Sequence, residues 1–235
     1  METQFDREIM LLGEENLRKL QNAHVAVFGI GGVGSYTAEA LARAGVGAIT
    51  LVDNDTVSLT NLNRQLIALH STIGRNKTDV MAERIRDINP ACRVTSLPVI
   101  YEEASKEQFF AMGFDYIADC IDMVSCKLSL IRTAIERGVP IVSSMGTGNR
   151  LDPTKFTITD LAKTSGDPLS RVMRHELRKC GIVHHDVLFS TEPPLSPAPL
   201  AQMPEGKRSV PGSVSWVPSS AGLLIAGYII GKLTK

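Results

Sequence analysis

Residues 24–35 constrain the fold most, because an apolar run, HVAVFG, is followed without a break by IGGVGS. Four glycines lie within six positions: Gly29, Gly31, Gly32 and Gly34. This spacing is typical of a tight turn between a strand and a helix whose N-terminus receives a phosphate group. Asp53 ends the next apolar run, AITLVD, where a carboxylate can accept hydrogen bonds from ribose hydroxyls. The pattern predicts a nucleotide site at the first crossover and leaves NAD, FAD and ATP open.

Strand-like and helix-like patterns alternate along the first part of the chain. Short apolar runs predict strands at 24–29, 48–53, 93–99, 115–120 and 139–144. Helical spacing of apolar residues predicts helices at 33–44, 74–88, 102–111 and 124–137. Strands that are apolar on both faces favour a parallel sheet covered by helices on its two sides. We predict an α/β fold, Rossmann-like and doubly wound, with a mostly parallel sheet.

The C-terminal portion follows a different pattern. Three elements are predicted there: a half-exposed strand at 156–160, a basic helix at 167–180 and an apolar helix at 219–233 capped by Ser219 or Ser220. Residues 192–212 contain six prolines, which indicates a loop or a mobile lid. We predict a single domain, 1–235, with a nucleotide-binding core at 1–150. Residues 151–235 are then an elaborated C-terminal portion for substrate and dimer contacts.

Composition argues against several classes of protein. The four cysteines, Cys92, Cys120, Cys126 and Cys180, form no CxxC pair, so a zinc ribbon or a disulfide framework is not expected. Cys180 follows the basic helix and is the best candidate for a reactive thiol. The N-terminus is acidic and has no apolar core, and the longest apolar run, 221–231, is short for a bilayer span. We expect a cytoplasmic protein with no stable membrane insertion.

Polar residues after Asp53 separate the nucleotide classes. We assign four of them to nucleotide binding: Asn61, Arg64 and Gln65 in the run DNDTVSLTNLNRQ, and Lys77 in GRNK. A hydride-transfer enzyme needs few cations beyond the glycine loop, whereas a triphosphate attacked at its α-phosphorus needs Arg and Lys along its oxygens. Asp122, after the fourth predicted strand, supplies a carboxylate for magnesium. Because the carboxyl ends of parallel strands share one edge of a sheet, we predict that these residues meet around ATP and Mg²⁺.

The motifs GxGGxGS, DxDxVxxxNxNRQ, GxxK and DCxD, in this order, resemble the ATP-binding core of the ThiF/MoeB-like superfamily, also called ubiquitin-activating-enzyme-like. The resemblance implies that Gly32 approaches the phosphates, that Asp53 binds the ribose and that Asp122 binds magnesium. It implies that the triphosphate is held by Asn61, Arg64 and Lys77. In members of the superfamily, an arginine near the N-terminus also reaches across a dimer interface into the active site of the other subunit, and Arg7 matches that position. This implies a homodimer with Arg7 acting in trans; the alternative is a solvated arginine on a surface helix.

Two branches of the superfamily share these motifs. Sulfur-carrier adenylyltransferases usually carry paired CxxC zinc ligands, which this sequence lacks. The segments at 160–169, 189–192 and 212–218 resemble instead the branch of tRNA threonylcarbamoyladenosine dehydratases. That resemblance implies that the threonyl carboxylate of the modified adenosine attacks ATP to give an acyl-adenylate. The ureido group then attacks the activated carbonyl, AMP leaves, and a ring closes with net loss of water.

Other hypotheses stay open on the sequence alone. The main alternative is an adenylyltransferase that activates a ubiquitin-like sulfur carrier, or a chain that works with a sulfurtransferase or sulfur-acceptor partner. A non-catalytic module that binds nucleotide and tRNA is the third hypothesis, against which Arg64, Lys77 and Asp122 argue. An NAD dehydrogenase is the fourth.

Positive charge is concentrated in the C-terminal portion, where residues 150–235 carry 11 basic and 7 acidic side chains. Four cations lie on the predicted basic helix: Arg171, Arg174, Arg178 and Lys179. Such a cluster gives salt-dependent affinity for phosphate, so we predict a tRNA contact, with a solvated helix face as the alternative. His184 and His185 have no Cys or acid partners at metal-ligand spacing and are expected at the surface or facing RNA.

Overall fold

The computed structural model describes residues 2–198 and 210–235. The first elements are α1 (Asp6–Leu12), α2 (Glu14–Asn22), β1 (His24–Phe28), α3 (Gly34–Arg43), β2 (Ala48–Val52), α4 (Lys77–Ile88) and β3 (Arg93–Leu97). The middle of the chain forms α5 (Lys106–Phe110), β4 (Tyr116–Asp119), α6 (Val124–Glu136) and β5 (Ile141–Ser144). The C-terminal portion forms β6 (Phe156–Asp160), α7 (Pro168–Lys179), β7 (Asp186–Ser190) and α8 (Trp216–Leu233).

The seven strands of the described residues form a single sheet in the order β3-β2-β1-β4-β5-β7-β6. Neighbouring strands are parallel except for β6, which runs antiparallel to β7. The chain moves outward from β1 to β3 and then returns to place β4 on the other side of β1. This reversal is the point at which doubly wound sheets bind ligands, beyond the carboxyl ends of their strands. The predicted α/β, doubly wound and mostly parallel fold is confirmed.

Both faces of the sheet are buried under helices. Val25 and Val27 of β1 belong to a core cluster that includes residues of α3, α4 and α8. Ala26 and Phe28 point to the opposite face and belong to a second cluster with residues of α5, α6 and α7. Successive side chains of a strand point to opposite faces of the sheet. A strand that is covered by helices on both faces therefore needs apolar residues at successive positions.

The predicted strands and helices are present, with ends shifted by up to four residues. Strand β7 was not predicted, because only its three central residues, Val187–Phe189, are apolar and polar residues flank them. Strand β3 is partly exposed, since it lies at the edge of the sheet. The predicted caps of α8 are wrong. The helix begins at Trp216, and the Ser219 and Ser220 hydroxyls lie within it and donate to the backbone oxygens of Ser215 and Trp216.

Helix α8 packs closely on α3. The hydroxyl of Thr37 donates to the carbonyl oxygen of Gly222 at 3.1 Å, and a Cβ on Gly222 would lie 2.3 Å from the carbonyl oxygen of Val33. Glycine is therefore needed at this position of the helix contact. Within the described ranges, α8 is the one helix long and apolar enough to cross a membrane, with 18 residues and mean hydropathy 1.2. Core helices meet the same criteria, and α8 buries residues along its whole length.

The proline-rich segment is described only at its two ends, 192–198 and 210–212, which form neither helix nor strand. The loop prediction holds for those residues. The remainder of the predicted lid, 199–209, lies outside the described residues.

Candidate nucleotide site

The glycine loop follows β1 at the carboxyl edge of the sheet. Gly29 has a φ of +87°, and a Cβ on it would lie 2.6 Å from the carbonyl oxygen of Cys120. A Cβ on Gly34 would lie 1.8 Å from the carbonyl oxygen of Gly29 itself. Side chains at these positions would collide with backbone, which cannot move away as a flexible side chain can. The first and last glycines of the motif are therefore required by the fold alone.

The two middle glycines have more space and adjoin other predicted site residues. A Cβ on Gly32 would lie 3.1 Å from Cβ of Pro218 and 3.6 Å from Cγ of Arg64. A Cβ on Gly31 would lie 3.8 Å from Nε2 of Gln65. Three segments therefore meet at one place: the glycine loop, the loop that carries Arg64 and Gln65, and the first turn of α8. The sequence predicts the meeting of the first two but not the approach of α8.

Asp53 ties the glycine loop to the end of β2. Its Oδ2 accepts a hydrogen bond from the backbone N–H of Ile30 at 2.6 Å, and its Oδ1 accepts one from the N–H of Asp55 at 2.8 Å. Burial raises the pKa of the Asp53 carboxyl, against the opposing attraction of Lys77. The carboxylate thus has a structural role, and the remaining lone pairs of its oxygens can accept hydrogen bonds from a ribose.

Lys77 begins α4 and points at two carboxylates. Its Nζ donates to Oδ2 of Asp55 at 2.6 Å and lies 3.9 Å from Oδ1 of Asp53. The Lys77 side chain is 6% exposed, whereas that of Asp55 is 64% exposed. The pairing with Asp55 was not predicted from the sequence. A buried ammonium group here is held beside Asp53, at the edge where the glycine loop lies.

Arg64 lies half-buried in the loop between β2 and α4. Its Nη1 donates to the carbonyl oxygen of Thr60 at 2.9 Å and to Oδ1 of Asn63 at 3.0 Å. Burial lowers the pKa of Arg64, although a guanidinium remains charged at neutral pH. Asn61 is buried and accepts a hydrogen bond from a backbone N–H through Oδ1. Among the described residues, no group donates to the buried Oε1 of Gln65.

Asp122 lies in the loop after β4, exposed to solvent at the carboxyl edge. A buried ion pair shapes this loop: Nζ of Lys127 donates to Oδ2 of Asp119 at 2.7 Å, and both side chains are fully buried. Oδ1 of Asp119 accepts a hydrogen bond from the N–H of Ile121 at 3.2 Å, next to Asp122. No three His, Cys, Asp or Glu side chains of the described residues form a metal cluster. Asp122 alone suits Mg²⁺, which commonly binds through one carboxylate, phosphate oxygens and water.

Arg7 is not brought to this crevice within the chain. It lies exposed on α1, close to the start of the strands, since the side chain of Gln4 donates to the carbonyl oxygen of Ile88 before β3. The same short helix exposes Met10 and Leu11, with relative exposures of 82% and 88%. Apolar residues this exposed mark a surface that a partner can cover.

The four cations of the basic helix do not share one environment. Arg171, Arg178 and Lys179 are exposed, and with Arg174 and His175 they line a shallow groove of about 490 Å³. Arg174 is half-buried, and its Nη1 donates to the carbonyl oxygen of Thr164 at 2.8 Å and to the hydroxyl of that residue. The groove is therefore cationic, but Arg174 also anchors α7.

The two adjacent histidines differ. His184 is exposed, as expected, and its Nδ1 lies 2.6 Å from Oδ2 of Asp160. The surface prediction for His185 is wrong. Its ring is buried behind β5, with Nε2 2.8 Å from the hydroxyl of Ser143, and burial lowers its pKa to about 4. No sequence signal indicated this burial, because strand β7, which begins at the next residue, was itself not predicted.

The four cysteines differ in exposure. Cys92 and Cys126 are buried and Cys120 is partly buried, and all four are free thiols. Cys180 is exposed at the end of α7, which a reactive thiol requires. Its reactivity stays a prediction.

Comparison with known proteins decides the family. The sequence matches the ThiF family over residues 5–234. The chain belongs to the ThiF family. It is 45% identical to tRNA threonylcarbamoyladenosine dehydratase of Bacillus subtilis, over 99% of this chain and 95% of that protein. It is 32% identical to molybdopterin-synthase adenylyltransferase of Escherichia coli, over 72% of this chain and 66% of that protein.

Solved structures agree with this ThiF-family assignment. The crystal structure of E. coli tRNA N6-threonylcarbamoyladenosine dehydratase in complex with AMP matches with a TM-score of 0.89 and 39% identity. The match covers 98% of this chain and 93% of that one. The complex of the same E. coli protein with ATP matches with the same score. The predicted family resemblance is confirmed, down to its dehydratase branch; the individual site roles stay predictions.

Proposed function

We propose that this protein is an ATP-dependent tRNA threonylcarbamoyladenosine dehydratase. The observation that carries the proposal is the 45% identity to the B. subtilis dehydratase over 99% of the chain. The E. coli dehydratase structures with ATP and AMP support ATP as the second substrate and AMP as a product. The molybdopterin-synthase adenylyltransferase match is weaker and shorter, so the sulfur-carrier hypothesis is the alternative to test. A tRNA substrate favours a cytoplasmic location.

ATP is proposed to bind at the switch point, in residues 1–150. The triphosphate would lie over Gly31 and Gly32, beside the N-terminus of α3, where backbone N–H groups can donate to phosphate oxygens. Asp53 would accept hydrogen bonds from the ribose hydroxyls. The triphosphate charge would be met by Asn61, Arg64, Gln65 and Lys77, of which the last is already held at this edge by two carboxylates. Gly29 and Gly34 would support the loop from below.

Magnesium is proposed to join the triphosphate to Asp122. When bound, Mg²⁺ would neutralise phosphate charge and favour departure of pyrophosphate. The ion pair of Asp119 with Lys127 would keep the β4–α6 loop in place, because Asp119 also accepts the N–H of Ile121. Asp122 itself would therefore need little reorganisation to reach a metal.

The proposed chemistry needs no enzyme nucleophile. A carboxylate oxygen of the threonyl group attacks the α-phosphorus, and the bond to pyrophosphate breaks. The ureido group then attacks the acyl carbon, and AMP leaves with the former carboxylate oxygen while a proton is lost from the ureido group. The ring product therefore lacks one water relative to the substrate. Intramolecular attack of this kind has a high effective molarity, so the protein has to position the groups and exclude water.

A homodimer with Arg7 acting in trans is part of the proposal. Arg7, Met10 and Leu11 project from one short helix, and the two apolar side chains are largely exposed. Since Arg7 lies away from the crevice of its own chain, it can serve only a site on another copy. A guanidinium supplied this way would stabilise charge on the phosphates at the moment of attack.

The tRNA is proposed to dock on α7, in the C-terminal portion, 151–235. Arg171, Arg178 and Lys179 are exposed along a cationic groove, which suits the phosphate backbone of RNA. Arg174 would contribute charge to the same groove while it anchors the helix to Thr164.

Pyrophosphate release tests the function against its alternative. The purified protein is incubated with ATP and magnesium, and with either threonylcarbamoyl-modified tRNA or a small ubiquitin-like protein that ends in Gly-Gly. The proposal predicts release with the modified tRNA and none with the carrier protein. Release with the carrier alone would assign the chain to the sulfur-carrier branch, whose sulfurtransferase or sulfur-acceptor partner would then be sought. Unmodified tRNA is the matched control.

A further inference from the structure

Asn149 joins the two described ends of the proline-rich segment. Its carbonyl oxygen accepts the N–H of Leu195 at 2.8 Å, and its own N–H donates to the carbonyl oxygen of Gly212 at 2.8 Å. Its Oδ1 accepts the N–H of Gly212 at 2.6 Å. Among the described residues, Asn149 is the one residue other than glycine with a positive φ, +59°. Asparagine tolerates this conformation better than most residues, at a cost that the surrounding bonds must offset.

The returning end of the segment leads directly to the nucleotide site. The residue after Gly212 is Ser213, and its carbonyl oxygen accepts a hydrogen bond from Nδ2 of Asn63 at 2.9 Å. The other end of the same amide, Oδ1 of Asn63, accepts from Nη1 of Arg64 at 3.0 Å. Asn63 therefore stands between the C-terminal portion and Arg64, with each end of its side-chain amide in use.

We propose that Asn149 and Asn63 are positioning residues that fix the Arg64 guanidinium for the triphosphate. Asn149 sets the place of Gly212 and Ser213, Ser213 sets the orientation of the Asn63 amide, and that amide holds Nη1 of Arg64. The inference rests on the proposed function for the role of Arg64. The hydrogen bonds that link Asn149, Ser213, Asn63 and Arg64 do not depend on which carboxylate substrate the protein adenylates.

The geometry of a guanidinium explains why such a support matters. Thr60 and Asn63 together occupy Nη1 of Arg64, and this leaves the rest of the planar fork to meet phosphate oxygens. A long side chain held at one nitrogen loses less conformational freedom when the ligand binds. Without Asn63, only the Thr60 carbonyl would hold Nη1, and binding of the triphosphate would have to order the side chain.

The experiment measures the affinity of the full chain for Mg-ATP and for AMP by calorimetry. Asn63→Ala removes the bridge, and Asn149→Gly removes the side-chain acceptor while permitting the positive φ. We expect Asn63→Ala to weaken Mg-ATP binding about tenfold, which is the loss typical of a hydrogen bond to a charged group, and Asn149→Gly to weaken it about threefold. Affinity for AMP, which lacks the outer phosphates, is expected to stay within about twofold of the wild type.

A double-mutant cycle separates the relay from two independent effects. If Asn149 acts through Asn63, then Asn149→Gly has no further effect on Mg-ATP affinity in the Asn63→Ala background. Equal losses in both backgrounds would overturn the relay, as would an unchanged affinity in Asn149→Gly alone. Parallel losses for AMP and ATP would indicate general disruption and would also overturn it. Asn22→Ala is the control, since Asn22 bonds a backbone oxygen in the same way on α2, at the far end of β1.

The relay and the proposed function can fail separately. A wild-type chain that binds Mg-ATP but releases no pyrophosphate with modified tRNA would refute the function, while the cycle would still decide the relay. A wild-type chain that binds neither nucleotide would refute both.

Discussion

Burial of His185 makes the stability of the fold depend on pH. The ring is 7% exposed, its Nε2 lies 2.8 Å from the hydroxyl of Ser143, and its pKa is lowered to about 4. Loss of hydration is the main cause, which the nearby Asp119 partly opposes. In the unfolded chain the same ring has an ordinary pKa of about 6.5.

The sign and size follow from the difference between these two pKa values. Above about pH 6.5 the ring is neutral in both states, and its contribution to stability is complete. As the pH falls toward 4, the ring binds a proton in the unfolded chain but not in the folded chain, so the free energy of unfolding decreases. Between about pH 8 and about pH 5 the loss is about 2 kcal/mol. For a chain of 235 residues this lowers Tm by about 4–8 °C.

Urea unfolding at the two pH values measures this loss in the wild type and in His185→Asn, which keeps a polar side chain but does not titrate. We expect the variant to be less stable at the higher pH and to show a pH-dependent loss smaller by about 2 kcal/mol. His70→Asn is the matched control, because that side chain is exposed and forms no ion pair with the described residues, so the variant should keep the wild-type pH dependence. A pH-dependent loss of stability in His185→Asn as large as in the wild type would show that His185 is not its source.

Three further predictions concern the site and its supports. Arg7→Ala and Lys77→Ala are each expected to be inactive in pyrophosphate release, and mixing them should restore about a quarter of the activity, since half of the random dimers carry one intact site. Arg171→Glu with Arg178→Glu should weaken tRNA binding at low salt at least tenfold and flatten its salt dependence, measured by filter binding. Gly222→Ala should lower Tm by several degrees in thermal unfolding, because its methyl group would lie 2.3 Å from a backbone oxygen.

Each of these has a control and a contradicting result. No recovery on mixing would place Arg7 outside any shared site, provided each variant keeps the wild-type Tm. For tRNA binding, Arg174 is not substituted, because a charge reversal there would break its contact with Thr164. The control is a charge reversal at Arg18, an exposed arginine on α2. Unchanged affinity in the double variant would exclude α7 as the docking surface. Gly227→Ala, on the exposed side of α8 with open space around its Cβ, should not lower Tm and is expected to raise it by a few degrees, because alanine favours a helix more than glycine does.

The fold was readable from the sequence where burial leaves a periodic pattern. Strands β1, β2 and β4 are covered on both faces, so their mostly apolar runs predicted them. Strand β7 was not predicted because its apolar part is only three residues long and a polar residue, His185, precedes it. The start of α8 was placed too late because Ser219 and Ser220 resemble N-cap residues. The helix in fact begins before them, and Val217 and Pro218 of its first turn are buried.

The candidate site was predictable in its residues but not in its contacts. Gly32, Asp53, Arg64 and Lys77 follow from local motifs, and the fold brings them to one edge of the sheet. The contact of Asn63 with Ser213 joins residues 150 positions apart, and no local pattern encodes such a contact. The role in trans proposed for Arg7 involves a second copy of the chain, whose position a single sequence does not show.

Mass analysis of nucleosides shows whether the protein dehydrates threonylcarbamoyladenosine in tRNA. Threonylcarbamoyl-modified tRNA is incubated with the wild-type protein, ATP and magnesium, and then digested. We expect the modified adenosine to lose the mass of one water while AMP and pyrophosphate accumulate in equal amounts, and we expect Lys77→Ala to abolish all three. A modified adenosine of unchanged mass, with a wild-type protein that binds ATP, would contradict it.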